Sequence, residues 1–472
     1  MEKLSLPGVP TRLMLPLFLI LLFALFPRPR SVDQRLEQAW RAMQNGSPLA
    51  VAENVVEALG YLPGRLELWE VAGRYALAGG DVEHAITWFE LASTEGSLTS
   101  QGQLALGEAY WQNGDLNRAA QVWQALSPSP EAYTHLAQAH RALGDYEAAI
   151  DDLESLLTLG PGNADTHYQL GLLYAATHPE VAMAHLERAA GLNTLLAPAV
   201  EMLQRSLGIS LFENDPSYTY LQTGRSLASL DEWDLAVEAF RRAAKARPDY
   251  AEAHAYLGEA LQHLTSPPLD ARSELEKALS LDLNSVAANV FMGIYWQRLE
   301  EYEKSLEYLE IAASLEPDNP ALQAEIANTY AAKGDLPTAL SFYQKSVELA
   351  PRDPVYWRVL AEFSLQHQVQ VRQIALPAIR QALLLSPDDP VILDLMGHTF
   401  FLLEDYSSAE RFLLRAVQAD PAYAQARLHL GMTYLLQGEI SVAREQLSLA
   451  HDLAPQTQVA ERAQRLLQRY FP

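Results

Sequence analysis

The sequence predicts an all-α fold, a solenoid of about twelve stacked helix pairs with one apolar helix ahead of it. Three observations lead there. A small residue returns about every 34 residues, an unbroken apolar run lies near the amino terminus, and none of the 472 residues is cysteine. A period in the range of roughly 20–50 residues marks a repeat architecture, in which neighbouring units complete each other's cores. Hydrophobic residues make up 49% of the chain, which excludes wholesale disorder. The lack of cysteine removes disulfides, thiolate metal sites and cysteine nucleophiles together.

The charge is strongly acidic and unevenly placed. There are 34 basic and 59 acidic residues, a formal net charge of −25. Residues 1–32 hold Lys3, Arg12, Arg28 and Arg30 against Glu2, so the remainder carries −28. Such a body repels phosphate backbones, and no nucleic-acid partner is expected.

Residues 1–31 read as a tail and membrane anchor, with the apolar run at 13–26. From Leu13 to Phe26 the chain reads LMLPLFLILLFALF, bounded by Arg12 and by Pro27-Arg28-Pro29-Arg30. This is shorter than the roughly 17–25 residues of a spanning helix, but arginines at both ends can snorkel to the headgroups. A cleaved signal peptide needs small residues before its cut, where Phe26, Pro27 and Arg28 stand. An uncleaved, single-pass anchor is the expectation, with a signal peptide or a peripheral helix as alternatives. Lys3 and Arg12 face Arg28, Arg30, Arg35 and Arg41 across the run, a slight lean toward a cytoplasmic body that leaves the orientation open.

The repeat begins after the anchor. Its landmark falls at Ala39, Gly73, Gly107, Ala137, Gly171, Gly224, Gly258, Gly293, Ala327, Ala361, Gly397 and Gly431. A small residue lets two helices approach closely, and an aromatic three residues on, as at Tyr110, Tyr174 and Tyr434, fills the space beside the contact. Seven residues on, Gly80, Gly114, Gly144, Gly334 and Gly438 suit a left-handed helix end. Asp81, Asp115, Asp145 and Asp335 follow at the next helix start, where their side chains can cap it. Alanine dominates twelve residues after the landmark, and a bulky residue such as Phe89, Trp123 or Leu309 comes four later. Proline closes the unit, as at Pro161, Pro248, Pro351 and Pro455, and keeps the second helix from running on.

The pattern L-G-x2-Y, G-D, A-x3-F-x2-A, P resembles the tetratricopeptide repeat, most fully from Leu430-Gly431 to Pro455. The resemblance covers roughly residues 33–455. It implies a right-handed α-solenoid of antiparallel helix pairs, with a concave groove lined by each unit's first helix and a protein or peptide segment as the partner. One step of the landmark is 53 residues, and LLAPAVEMLQRSLGISLFE at 195–213 fits an additional helix there. The expected organisation is an N-terminal repeat block at 32–193, a connector at 194–215, a C-terminal block at 216–455 and a capping helix at 456–472.

No catalytic motif is present. There is no phosphate-binding glycine loop, zinc-protease signature, EF-hand loop or nucleophile elbow. Repeats and caps use nearly every residue, so the chain reads as a non-enzyme with no cofactor and no metal. Repeat proteins of this type include carboxylate clamps built from Lys and Asn on adjacent first helices. Asn328 has the right offset, but Ala324 stands where the Lys would be, so that function is not expected here. Asp394, His398, Glu362 and His429 share neighbouring first-helix faces, where solvated or hydrogen-bonded groove side chains are the main reading and a metal or acid–base site the minor one.

Function should be legible in the groove. Its inward offsets are mixed in the N-terminal block, with Glu70, Arg74, Glu108, Trp111, Gln138, Arg141 and Tyr168. In the last three units they turn apolar, with Val359, Leu365, Val391, Leu395, Phe401, Leu402, Leu428, Met432, Leu435 and Leu436. Two readings of this stripe stay open, a partner-binding trough and ordinary packing between units. The expected function is a membrane-tethered, non-catalytic scaffold, and the alternative an assembly or chaperone-like factor for a membrane or envelope complex.

Overall fold

In a computed structural model the chain is described from residue 30 to residue 471, apart from 62–63, 213–214 and 265–268. The apolar run at 13–26, and with it the expected anchor, lies outside the described residues. Among those residues no helix is long and apolar enough to cross a membrane, and no strand is present.

The described residues fall into two compact units, one comprising those up to Asp215 with Gln222–Ala239, the other Pro216–Leu221 with Phe240 onward. The first unit holds α1 (Arg30–Gln44), α2 (Pro48–Tyr61), α3 (Glu67–Ala78), α4 (Val82–Thr94), α5 (Ser100–Gln112), α6 (Leu116–Gln124) and α7 (Pro130–Ala142). It continues through α8 (Tyr146–Leu159), α9 (Ala164–Thr177), α10 (Pro179–Leu192) and the single helix α11 (Ala197–Phe212). Helices α12 (Pro216–Ser229) and α13 (Trp233–Ala246) are shared between the units. The second unit continues with α14 (Ala251–Leu264), α15 (Leu269–Leu281), α16 (Val286–Arg298), α17 (Tyr302–Leu315), α18 (Pro320–Lys333) and α19 (Leu336–Leu349). Then come α20 (Pro354–Gln366), α21 (Ala375–Leu385), α22 (Pro390–Leu402), α23 (Tyr406–Ala419), α24 (Ala424–Gln437), α25 (Ile440–Leu453) and the last helix α26 (Gln458–Tyr470). In chain order these make twelve pairs, with α11 and α26 single.

The landmark glycines are the closest approaches of paired helices. A Cβ built on Gly73 would meet the Phe89 ring at 2.9 Å, and one on Gly397 would meet Leu413 Cγ at 2.5 Å. The opposed residue usually stands sixteen positions on. At Gly171 it is Leu186, one residue nearer, because α9 passes to α10 through His178 alone and Pro179 starts the new helix. At Gly258 it is Leu275, one residue further, the turn between lying partly outside the described residues. The pair α20–α21 is looser still: its turn runs from His367 to Ile374, with Gln368 and Gln370 both left-handed.

The pair turns are built as the sequence suggests. Asp81, Asp115, Asp145, Asp335 and Asp405 each accept a hydrogen bond from the backbone N–H three residues on. Gly80, Gly114, Gly144, Gly334 and Gly438 have φ between +76° and +91°. The same left-handed position is held by Gly46, Asp231, Glu300, Gln368 and Glu404 in other pairs. The turn geometry is therefore more regular than the glycine pattern, and four pairs keep it at a strain of about 1 kcal/mol per non-glycine residue.

At Gly107 and Gly171 the tyrosine three residues on does more than fill space. Tyr110 donates to Glu90 at 2.5 Å and Tyr174 to Glu154 at 2.5 Å, each reaching back to the second helix of the preceding pair. Burial, and then the neighbouring Glu90 carboxylate, push the Tyr110 hydroxyl up to about 12, so it remains a donor. These latches join successive pairs through one hydroxyl each.

Candidate functional site

In the second unit, α20, α22 and α24 are the first helices of the last three pairs, and they carry the apolar stripe. Proline at the first position of α20 and α22, each preceded by a capping aspartate, fixes where those helices start and hence which offsets share a face. The stripe divides by depth. Leu365 and Leu428 are 4% and 1% exposed and belong to the packing between helices. Val359 and Leu395 are half-buried against Leu360, Phe363, Ile392 and Met396. Phe401 and Leu435 lean on Leu413, Leu430 and Tyr434, while Met432 rests on Leu447 and Ala450. Val391 and Leu402 are half-buried, and Leu436 is 56% exposed.

Beneath this stripe sits a polar pair that is almost closed to water. His429 Nδ1 lies 2.8 Å from Asp394 Oδ1, with the residues 3% and 1% exposed. The Gln425 amide nitrogen is 3.0 Å from His429 Nε2. An amide NH2 can only donate, so Nε2 is the acceptor and Nδ1–H donates to Asp394. The His398 ring stacks on His429 with centroids 4.2 Å apart and planes 17° apart. Both nitrogens of His429 are thus engaged, and the nearby Thr399 and Thr433 hydroxyls bond to backbone carbonyls at 2.7 and 2.8 Å. The arrangement offers no activated nucleophile. Glu362 pairs instead with Arg358 at 2.5 Å, and no group of three or more metal-ligating side chains occurs among the described residues.

Burial lowers the His398 pKa to about 3, helped by His429 and Arg462. An unfolded histidine titrates near ~6.5. Between those values the unfolded chain takes up a proton that the folded chain refuses, so stability falls as pH drops from roughly 6.5 toward 3. The slope reaches at most ~1.4 kcal/mol per pH unit. His398→Phe keeps a ring in the stack and should reduce the difference in urea midpoint between pH 7 and pH 4.5. An unchanged difference would assign the acid sensitivity to other groups.

The mixed offsets of the first unit are less open than their sequence positions suggest. Glu70 is 7% exposed and accepts from the Thr99 backbone N–H at 2.8 Å and hydroxyl at 2.9 Å. Arg141 meets Asp234 through two bonds of 2.7 Å and also pairs with Glu232. Asn328 in the second unit donates to Glu325 at 3.1 Å and accepts from the Tyr343 hydroxyl at 2.5 Å. Reading offsets along single helices missed the partners of Glu70 and Arg141, which come from other pairs, while those of Asn328 lie within its own pair. It also missed a cavity of about 570 Å³ between α7 and α9, because its lining converges from three helices and has no spacing of its own.

Comparison with known proteins agrees with this architecture. Models of the tetratricopeptide repeat match residues 137–177, 221–288, 298–363 and 395–456. The chain is 22% identical over 331 residues to BBSome complex member BBS4 of Bos taurus, covering 69% of this chain and 59% of that protein. It is 24% identical over 297 residues to lipopolysaccharide assembly protein B of Escherichia coli K12, covering 60% of this chain and 63% of that one. The alignments thus span about three fifths of the length of these curated relatives. Among solved structures, yeast Tom70 aligns over 94% of this chain and 96% of its own with a TM-score of 0.45 and 16% identity. With twelve helix pairs closed on small residues and repeat matches over about half of its length, this chain belongs to the tetratricopeptide-repeat proteins.

Proposed function

We propose that this protein is a non-catalytic scaffold that holds a segment of a partner protein against α20, α22 and α24, tethered to a membrane by its run at 13–26. The observation that supports it is the stripe of Val391, Phe401, Leu402, Met432, Leu435 and Leu436, which keeps apolar surface on helices whose deeper side chains are already packed. The relatives' names, a complex member and an assembly protein, favour work within an assembly. A second reading, a factor that holds many clients in passing during assembly of a membrane or envelope complex, rests on the latter name.

The test is capture from solubilised membranes with intact protein and with Leu436→Asp combined with Leu402→Asp. These two leucines are chosen because they lean least on the core, so the melting temperature should change little while capture is lost. Phe401→Asp and Leu435→Asp should abolish capture too, with some loss of stability from their packed undersides. One stoichiometric partner supports the scaffold, and many substoichiometric clients support the holding factor. Capture unaltered in the folded double variant would remove the stripe from consideration. The tether is tested by carbonate washing, after which the intact chain should stay with the bilayer; its release with an unprocessed amino terminus would refute the anchor.

A further inference from the structure

Within the pair α9–α10 of the first unit, two histidines meet nitrogen to nitrogen. His167 Nδ1 lies 3.2 Å from His185 Nδ1, with the ring centroids 5.3 Å apart. Two imidazole lone pairs repel each other, so something electropositive belongs between these atoms, either a proton carried by one ring or a metal ion. The separation suits both. At zinc–nitrogen distances of about 2.0–2.1 Å it subtends roughly 100–106° at the ion, close to the tetrahedral angle.

The surroundings favour a cation. His167 Nε2 is 3.4 Å from the Pro161 carbonyl, which can only accept. The N–H is therefore on Nε2, and the Nδ1 lone pair faces His185. A carbonyl on the remote ring nitrogen is the contact that orients a metal-binding histidine. Burial, and then His167 itself, hold the His185 pKa below its ordinary value, so this ring is neutral at neutral pH. Its one proton can sit on Nε2, which makes Nδ1 a ligand as well. The negative charge of Glu154, on α8, acts on His185. Asp151 and Glu147 act likewise on Tyr174, whose ring packs beside His185 with centroids 5.4 Å apart. Both histidines are only half-buried, so an ion can reach them from solvent.

We infer that His167 and His185 form a two-histidine site for a divalent ion of the zinc class, bridging α9 and α10, with water completing the tetrahedron. The ion takes the place of the shared proton, which moves to His185 Nε2. The ligands stand eighteen residues apart on two helices, so no motif spacing announces them, and the sequence led to the expectation of a metal-free chain. This site does not depend on the stripe of the second unit or on the function read from it.

The test titrates ZnCl2 into EDTA-treated, detergent-solubilised full-length protein by calorimetry, with MgCl2 as the control. The chain has twelve histidines, so variants must assign the site. Zinc should bind in the micromolar range, and His167→Asn and His185→Asn should each weaken it by about tenfold or more. Asparagine places an amide near the Nδ1 position and can keep a hydrogen bond across the pair. The melting temperature without zinc should therefore change little. His84→Asn, in α4, removes a histidine already held by Asp81 and should leave zinc binding unaltered. In the unaltered chain, zinc should slow hydrogen exchange in α9 and α10 more than in any other helix, a readout that needs no variant. The inference is overturned if zinc binds no more tightly than magnesium, which would leave a plain N–H···N hydrogen bond between the rings. It is equally overturned if both asparagine variants bind zinc like the unaltered protein, or if the protection gained lies in other helices.

Discussion

Gly107→Leu is expected to destabilise the first unit by about 3 kcal/mol or more, at the upper end of overpacking effects. A Cβ at that position would already lie 2.2 Å from Trp123 Nε1 and 2.5 Å from Cε2, well inside contact distance. The indole has nowhere to retreat. It is 1% exposed, donates to the Leu104 carbonyl at 3.2 Å, and is stacked by His135 with centroids 4.7 Å apart. To admit even one carbon, α5 and α6 must separate, and the leucine adds three more. Gly208→Ala is the contrast: it lies inside α11, its Cβ would meet nothing within 4 Å, and it should stabilise by roughly 0.5–1 kcal/mol through helix propensity. Urea midpoints measure both. Because a repeat stack loses structure locally first, hydrogen exchange in the Gly107→Leu variant should rise in α4 to α7 before it rises in α22 to α25. Equal midpoints for the two variants would show that the landmark does not mark a close approach.

Asp394→Ala should cost the second unit a similar amount, about 3 kcal/mol, by a different route. The substitution leaves the Nδ1–H of His429 buried without an acceptor and opens a gap under α24. Replacing both partners by leucine removes the unpaired polar group along with the pair. The double variant Asp394→Leu/His429→Leu should therefore lie within about 1 kcal/mol of the unaltered protein. Equal losses in the single and double variants would mean that the pair contributes by shape, and that the hydrogen bond is incidental. The stack of His398 on His429 makes the site sensitive to His398→Phe only through pH, since the flat contact survives the change.

Much of this molecule is written locally. Gly73, Gly107, Gly397 and Gly431 stand at close approaches, and Asp81, Asp115, Asp145 and Asp335 cap the helices they precede. Such features are legible because each depends on a residue type at a fixed distance along one or two helices. The left-handed turns were legible only where glycine occupies them. Asp231, Glu300, Gln368 and Glu404 adopt the same φ because flanking helices already packed in register impose it, and no residue type announces that. The Tyr110–Glu90 and Tyr174–Glu154 latches were half legible: the aromatic follows the landmark, but its acceptor belongs to the preceding pair.

The sequence by itself determined the repeat, its helix pairs, the small residues on which they close, and the absence of any recognisable catalytic motif. These follow from periodicity, which a chain carries whatever its neighbours do. Only the tertiary structure decided which polar side chains are left to meet a ligand. Glu70 and Arg141 share the reading of open groove residues with Gln138, yet the first two are claimed by partners 29 and 93 residues away. Asp394 and His429 bury each other across 35 residues. A side chain's availability is set by what long-range packing brings beside it, and burial of a charged group is tolerated only where such a partner arrives. The cavity between α7 and α9 exists for the same reason, as the space left when three helices have met their own packing demands.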